Sequence, residues 1–211
     1  MMNFNQLSVN FGAVRVIRKV SLSIDHGEVV LIRGHFGTGK STLLKAIIGA
    51  VKCDQALTFL GKTFQRRTPR KMIKAGMSYM PEESGIFRKL TTQKNLELNA
   101  SLRAGNCDTS QVENLFTDLQ QYLHKPAFVL SGGQARMLAF AGAIVGNPKL
   151  VLLDEPTQGI AEKPLAIMAN AIKKLVHTGS SVLLIEQHTN ELSCIANRTL
   201  IMDQGQLVKD N

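Results

Sequence analysis

The segment Gly34-His35-Phe36-Gly37-Thr38-Gly39-Lys40-Ser41-Thr42, set just after the apolar run Val29-Val30-Leu31-Ile32, leaves this chain few folds to choose from. Glycines at 34, 37 and 39 allow a tight turn with backbone N–H groups facing inward, and a helix beginning near Lys40 offers its positive end to the same point. Leu43, Leu44, Ile47 and Ile48 give that helix an apolar stripe, and Gly49 ends it. Strand, glycine loop and helix in this order make a cradle for phosphate. Within it Lys40 would reach the outer phosphates and Ser41 would hold Mg²⁺ through its hydroxyl, so ATP and Mg²⁺ are the expected ligands. The plainer reading is a glycine-rich turn before an amphipathic helix.

Further along, Leu150-Val151-Leu152-Leu153-Asp154-Glu155 puts two carboxylates at the C-terminal end of an apolar strand, where open α/β sheets bind ligands. Asp154 is expected to assist Mg²⁺, and Glu155 to orient and polarise an attacking water if it comes within hydrogen-bond reach. The competing reading is a charged strand end that caps a helix or forms an ion pair.

The chain has 211 residues, 44% apolar and 19% charged, which suits one well-cored domain with a smaller subdomain but not two nucleotide-binding domains. Its apolar runs fall far short of the roughly 18 residues needed to span lipid. Met1-Met2-Asn3-Phe4 has neither a basic start nor an apolar core of the kind that directs secretion, so a cytoplasmic location is expected. Cys53, Cys107 and Cys194 have no metal-ligand or disulfide spacing and read as reduced filler. A formal charge of +9 clusters at Arg66-Arg67, Arg70-Lys71 and Lys173-Lys174. Aromatic residues do not alternate with these clusters as in a stacking platform, so the charge reads as solvation or membrane proximity and no nucleic acid is expected.

Loose alternation over residues 4–10 and again over 20–24 predicts antiparallel strands at the start. Residues 29–32 read as a buried strand, 62–74 as a surface connection and 76–80 as a strand. From 90 to about 129 the reading is mostly helical, with helices over 95–102 and 111–123 separated at Gly105-Asn106. Residues 134–145 form an apolar helix. Strands at 150–153 and 182–185, joined through a helix over 166–176, read as parallel, and 199–202 with 206–208 reads as a hairpin.

Leu130-Ser131-Gly132-Gly133-Gln134 opens the helix over 134–145, and a Ser-Gly-Gly turn at a helix start is itself an anion-binding geometry. Because Lys40 already serves the phosphates locally, a second anion site makes most sense across a dimer. The order of phosphate loop, Leu130–Gln134 turn, Leu150-to-Glu155 strand and Pro156-Thr157 resembles the ATP-binding cassette (ABC) ATPases over nearly the whole chain. The resemblance implies an α/β P-loop NTPase ABC-ATPase fold. It has a mixed sheet core and an N-terminal antiparallel β region (about 1–85, with 146–211) and an inserted α-helical subdomain (about 86–145). It also implies that two such domains, as a homo- or heterodimer, sandwich two ATP molecules, with Ser131, Gly132, Gly133 and Gln134 of each serving the other's γ-phosphate.

Other positions follow from the same resemblance. Phe11, followed by Gly12, stands where the family places an aromatic against adenine, the alternative being a core Phe in an early strand. Glu82 stands at the usual Mg²⁺-sensing glutamine, and Gln187 at the usual switch histidine with His188 next to it. A glutamine can hydrogen-bond γ-phosphate or water but cannot carry a proton as histidine does. His188 either takes over through a one-residue register shift or is a loop residue with no special duty. Thr157-Gln158-Gly159-Ile160-Ala161 lacks the usual terminal aspartate, and Gly142 stands where relatives often have arginine.

Met80-Pro81-Glu82, Ile86-Phe87, Leu90-Thr91 and Glu186-Gln187 resemble the ATPase subunits of bacterial importers for branched-chain amino acids and for urea or short amides. This implies transport-coupled ATP hydrolysis at the cytoplasmic face of the inner membrane. The implied partners are transmembrane permease subunits docked near Glu82 to Leu90 and, indirectly, a periplasmic solute-binding protein. An ATPase of an exporter or lipopolysaccharide-extraction system shares all this chemistry. A cassette acting on nucleic acid or ribosomes commonly has paired cassettes or long inserted arms, and this chain has neither. A nucleotide kinase gives Leu130–Gln134 no task, and a cassette that binds ATP without hydrolysis gives Glu155 none.

Overall fold

The computed structural model describes residues 1–83, 85–102, 110, 115–187 and 192–209. Cys107, the break at Gly105-Asn106, part of the helix expected over 111–123, and His188 lie outside the described residues.

Two long strands, β1 (Met2–Phe11) and β2 (Val14–Ile24), pair antiparallel, and β4 (Leu57–Phe59) and β5 (Lys62–Phe64) extend them into a sheet ordered β2-β1-β4-β5. The register shifts three times between Phe4 and Asn10, which is why alternation in the sequence is only loose there. The second sheet runs β10 (Gln206–Lys209), β9 (Arg198–Asp203), β3 (Val29–Arg33), β8 (Ser181–Glu186), β7 (Leu150–Asp154), β6 (Met77–Met80). All its pairs are parallel except β10 with β9, the expected hairpin.

The central strands are apolar throughout because both faces are covered. Val29, Leu31, Val151, Leu153, Val182 and Leu184 face one cluster, completed by α5 (Gly132–Ile144) and α6 (Glu162–His177). Their alternates Val30, Ile32, Leu150, Leu152, Leu183 and Ile185 face the other, where Leu43, Leu44 and Ile47 of α1 (Lys40–Ile48) meet Phe4, Leu7, Val9 and Ile17 of the antiparallel sheet. The period of two thus splits each run between two cores.

Three short elements depart from expectation. Residues 62–74 are not a plain connection: they hold β5 and α2 (Pro69–Lys74), whose start is set by Pro69 at its first turn and by Thr68 accepting from Lys71 N. β4 was equally illegible, being three residues that pair only through β1 and β5. Between β6 and β7 lie α3 (Thr92–Ser101) and α4 (Thr117–Gln120), which falls within the described part of the helix expected over 111–123, and the chain turns after Gln120. Gly142 also gains a physical reason. A Cβ there would lie 2.9 Å from Asn99 Nδ2, so the missing side chain leaves room for the Asn99 amide of α3.

Candidate functional site

The parallel registers bring the motifs together. Arg33 pairs with Glu186 and Asp154 with Ile185, so the ends of β3, β8 and β7 lie side by side, and Met80 opposite Leu153 adds the end of β6. Those four ends deliver the phosphate loop, Gln187, the Asp154–Glu155 pair and Glu82.

At the loop, Gly39 has φ 104° and an added Cβ would fall 2.9 Å from Ile17 Cδ1, while at Gly34 it would meet the Met202 carbonyl at 2.3 Å. Only glycine permits the loop to sit this close to the sheet. Lys40 is 4% exposed and donates to the carbonyls of Gly34 (2.7 Å) and His35 (2.9 Å). Thr38 Oγ1 donates to the same His35 carbonyl at 2.9 Å, closing the loop. Burial lowers the Lys40 pKa from its ordinary value, opposed by the carboxylates of Glu155 and then Asp154. Phe36 projects from the loop tip, 82% exposed. Ser41 and Thr42 lie in the first turn of α1, which has neither a side-chain cap nor an acidic residue.

Ser41 Oγ donates to Asp154 Oδ1 at 2.9 Å, and Tyr79 on β6 donates its hydroxyl to Oδ2 at 3.2 Å. Burial raises the Asp154 pKa; the Ser41 and Tyr79 hydrogen bonds oppose it, and the charges of Glu82 and Glu155 add to it. The same burial, with the charge of Asp154, raises Tyr79 far above the usual phenol range, so Tyr79 is a donor at every working pH.

Glu155 has φ 48°, a left-handed backbone unusual for a side chain of this kind, held by its N–H on the Ile185 carbonyl at 3.0 Å. Its carboxylate lies 3.8 Å from Lys40 Nζ and accepts from Gln187 Nε2 at 2.8 and 3.0 Å. Gln187 therefore orients Glu155 through the Gln187 amide. Glu82 has its backbone carbonyl bound by Arg136, and its carboxylate is close enough to act on Lys40, Tyr79 and Asp154.

Ser131 caps α5. Its hydroxyl accepts from Gln134 N (3.3 Å), and Gln134 Oε1 accepts from Ser131 N (3.0 Å), a reciprocal capping box. Ser131 and Gly132 are exposed, and the described hydrogen bonds of this turn are its own. Phe11 is 53% exposed at the end of β1, opposite Val14, which excludes the core-Phe alternative.

Tyr79 and Arg136 are not among the expected site residues, and Glu186 figures there only within the Glu186-Gln187 resemblance. Buried Glu186 accepts from Thr157 N (3.3 Å) and Thr157 Oγ1 (3.0 Å), holding the loop that follows Glu155. The available signal was a charge in an apolar setting: Glu186 ends the strand Val182-Leu183-Leu184-Ile185, and Arg136 interrupts an otherwise apolar helix.

A profile of the family described as ABC transporter matches residues 17–158. Among curated proteins, the chain is similar to the high-affinity branched-chain amino acid transport ATP-binding protein BraG of Pseudomonas aeruginosa, 29% identical over 99% of this chain and 91% of that protein. It is also similar to the lipopolysaccharide export system ATP-binding protein LptB of Escherichia coli K12, 29% identical over 92% of this chain and 83% of that protein. Among solved structures, a dimeric ATP-binding cassette in a post-hydrolysis state bound to ADP and Pi superposes with TM-score 0.86 at 21% identity, covering 100% of this chain and 98% of that one.

Proposed function

This chain belongs to the ABC transporter family, and from that premise we propose that it is the ATP-hydrolysing subunit of a membrane importer for branched-chain amino acids or for urea and short amides. The observation that carries the chemistry is the joined set of Lys40, Ser41, Asp154 and Glu155, linked by the 2.9 Å Ser41–Asp154 hydrogen bond and the 3.8 Å Lys40–Glu155 approach. Lys40 and the loop N–H groups hold the β- and γ-phosphates of ATP, and the uncapped start of α1 adds its dipole. Phe11, exposed at the end of β1, supplies a face for adenine.

Among the described residues no three His, Cys, Asp or Glu side chains gather as a metal cage. One hydroxyl and one carboxylate, Ser41 and Asp154, are the oxygen donors a Mg²⁺ needs when phosphate completes its shell. When bound, the ion would neutralise charge on the phosphates. Glu155 accepts the proton of the attacking water, and Gln187 keeps that carboxylate turned inward. Glu82 approaches the same place from β6. The Ser131-Gly132-Gly133-Gln134 turn, exposed at Ser131 and Gly132, serves the γ-phosphate held by a second cassette.

We assign about 86–145 to the helical subdomain and about 1–85 with 146–211 to the nucleotide-binding core. No helix of the described residues is long and apolar enough to cross a membrane. Transport therefore needs permease subunits, which we place near Glu82 to Leu90 at the cytoplasmic face of the inner membrane, with a periplasmic binding protein beyond them. The similarity to BraG supports import. The similarity to LptB supports a second reading, the ATPase of a lipopolysaccharide exporter.

Affinity isolation from gently solubilised native membranes tests both. A permease with an amino-acid or amide binding protein is the expected result. A permease carrying lipopolysaccharide favours the second reading, and nucleic acid or ribosomal proteins without a permease overturn transport.

A further inference from the structure

Helix α5 is apolar nearly all round: Ala135, Met137, Leu138, Phe140, Ala141 and Ile144 are all buried. Arg136, its single charged residue, is also buried, 7% exposed. Burying a guanidinium is costly unless its N–H groups are matched. Here they meet five main-chain carbonyls on two loops. Nε donates to Pro156 (3.4 Å), Nη2 to Asp154 (3.1 Å) and to Glu155, and Nη1 to Glu82 and, at 3.5 Å, to Pro81. One side chain thus joins the helix that begins at Ser131 to the loop after β6 and the loop after β7.

We infer that Arg136 is a positioning residue for hydrolysis, fixing the peptides that carry Glu82 and Glu155 to the helix that carries the Ser131 turn. None of the five carbonyls belongs to the phosphate loop, whose Lys40 and Ser41 have their own partners. Of the five carbonyls only that of Asp154 belongs to a residue assigned to nucleotide binding, and its carboxylate is held separately by Ser41 and Tyr79, so Arg136 acts chiefly on the step that needs Glu155. A planar fork with five donors matches carbonyls arranged over two loops; a lysine ammonium presents three donors from one point and cannot span them. The inference rests on the ATPase reading above.

The test uses the assembly isolated from membranes carrying wild type, Arg136→Lys, Arg136→Gln or Arg136→Met. Three quantities are measured: the Kd for a non-hydrolysable ATP analogue, kcat with KM for ATP hydrolysis, and the melting temperature. The expected result is a kcat lowered about 10–100-fold in Arg136→Lys, the size of effect that a displaced catalytic group gives. Its Kd should stay within about threefold of wild type, since uniform binding is untouched. Arg136→Gln, with two donors, should fall between Lys and Met or match Lys. Unchanged kcat in any folded variant overturns the inference, as does a loss of kcat matched by loss of affinity and melting temperature, which a merely structural arginine would give. Wild type that binds the analogue without hydrolysing ATP overturns the ATPase reading itself, and that outcome is distinct.

Discussion

Two helix starts in this molecule look alike on paper and differ in space. Both α1 and α5 begin with glycines and offer N–H groups to an anion. The start of α1 has no side-chain cap, yet it is enclosed by Lys40, Asp154 and Glu155 from its own chain. The start of α5 is already capped by Ser131 and Gln134, is open to solvent at Ser131 and Gly132, and among the described residues has no carboxylate or lysine of its own chain bonded to it. A complete cradle can capture phosphate alone, because charge, donors and depth are present together. A capped and exposed turn gains value only against a charge brought by another molecule. The difference explains why one motif predicts a ligand and the other predicts a partner.

Substitutions at either helix start test that contrast. The largest effect is expected from Glu155→Gln, with hydrolysis lowered by about 10²–10⁴, the usual contribution of a general base. ATP should still bind and the protein should accumulate as a closed dimer, read by size-exclusion chromatography; normal turnover would remove Glu155 from the role. Lys40→Ala should weaken Mg-ATP binding by about 10–100-fold, as loss of hydrogen bonds from a charged donor does. An unchanged affinity in fluorescence titration would remove the cradle from the α1 side of the comparison. Phe11→Ala should cost about tenfold in ATP affinity and less for a bare triphosphate, since base stacking is worth roughly 1–3 kcal/mol.

Smaller effects belong to the α5 turn and to burial at the β7 end. Ser131→Ala removes a cap worth about 1 kcal/mol and should lower the melting temperature by about 2–4 °C. ATP affinity of the isolated chain should not change, whereas hydrolysis by the dimer should. Loss of affinity in the isolated chain would mean that the two helix starts serve one phosphate in one molecule.

Asp154→Asn sharpens the cradle side. Burial raises the Asp154 pKa, so the folded state holds that proton more tightly than the unfolded chain. The stability this provides is present below the ordinary carboxylate value of about 3.9 and is lost as pH rises through the folded value. The amide avoids that loss. Melting curves should therefore show the variant more stable near neutral pH, with the advantage shrinking as pH falls toward about 4.

The strand, loop and helix order around Lys40 was legible because each part has its own local cause: an apolar run, glycines, and an apolar stripe ended by Gly49. The strands at Leu150 and Val182 were legible as continuous apolar runs of the kind a sheet covered on both faces requires. β4 and β5 were not, since three-residue strands carry too few alternations to be told from loop and exist through pairing, β4 with β1 and β5 with β4. Arg136 and Tyr79 were not legible as site residues either. Their partners, the carbonyls of Glu82 and Asp154 and the carboxylate of Asp154, are 54, 18 and 75 residues away.

The chemistry on offer was legible in the residues: which of them suit a phosphate cradle, which hydroxyl and carboxylate suit a metal, and which turn we assign to a partner. Those properties depend on residue type at short spacing, within reach of one loop or one helix turn. Tertiary structure decided how the pieces meet. The registers of β3, β8, β7 and β6 set Ser41 on Asp154 and Gln187 on Glu155, Phe11 was left in solvent, and an arginine in an apolar helix was fastened to both loops. The Ser41–Asp154 meeting follows from sheet pairing across 113 residues, which no local pattern encodes.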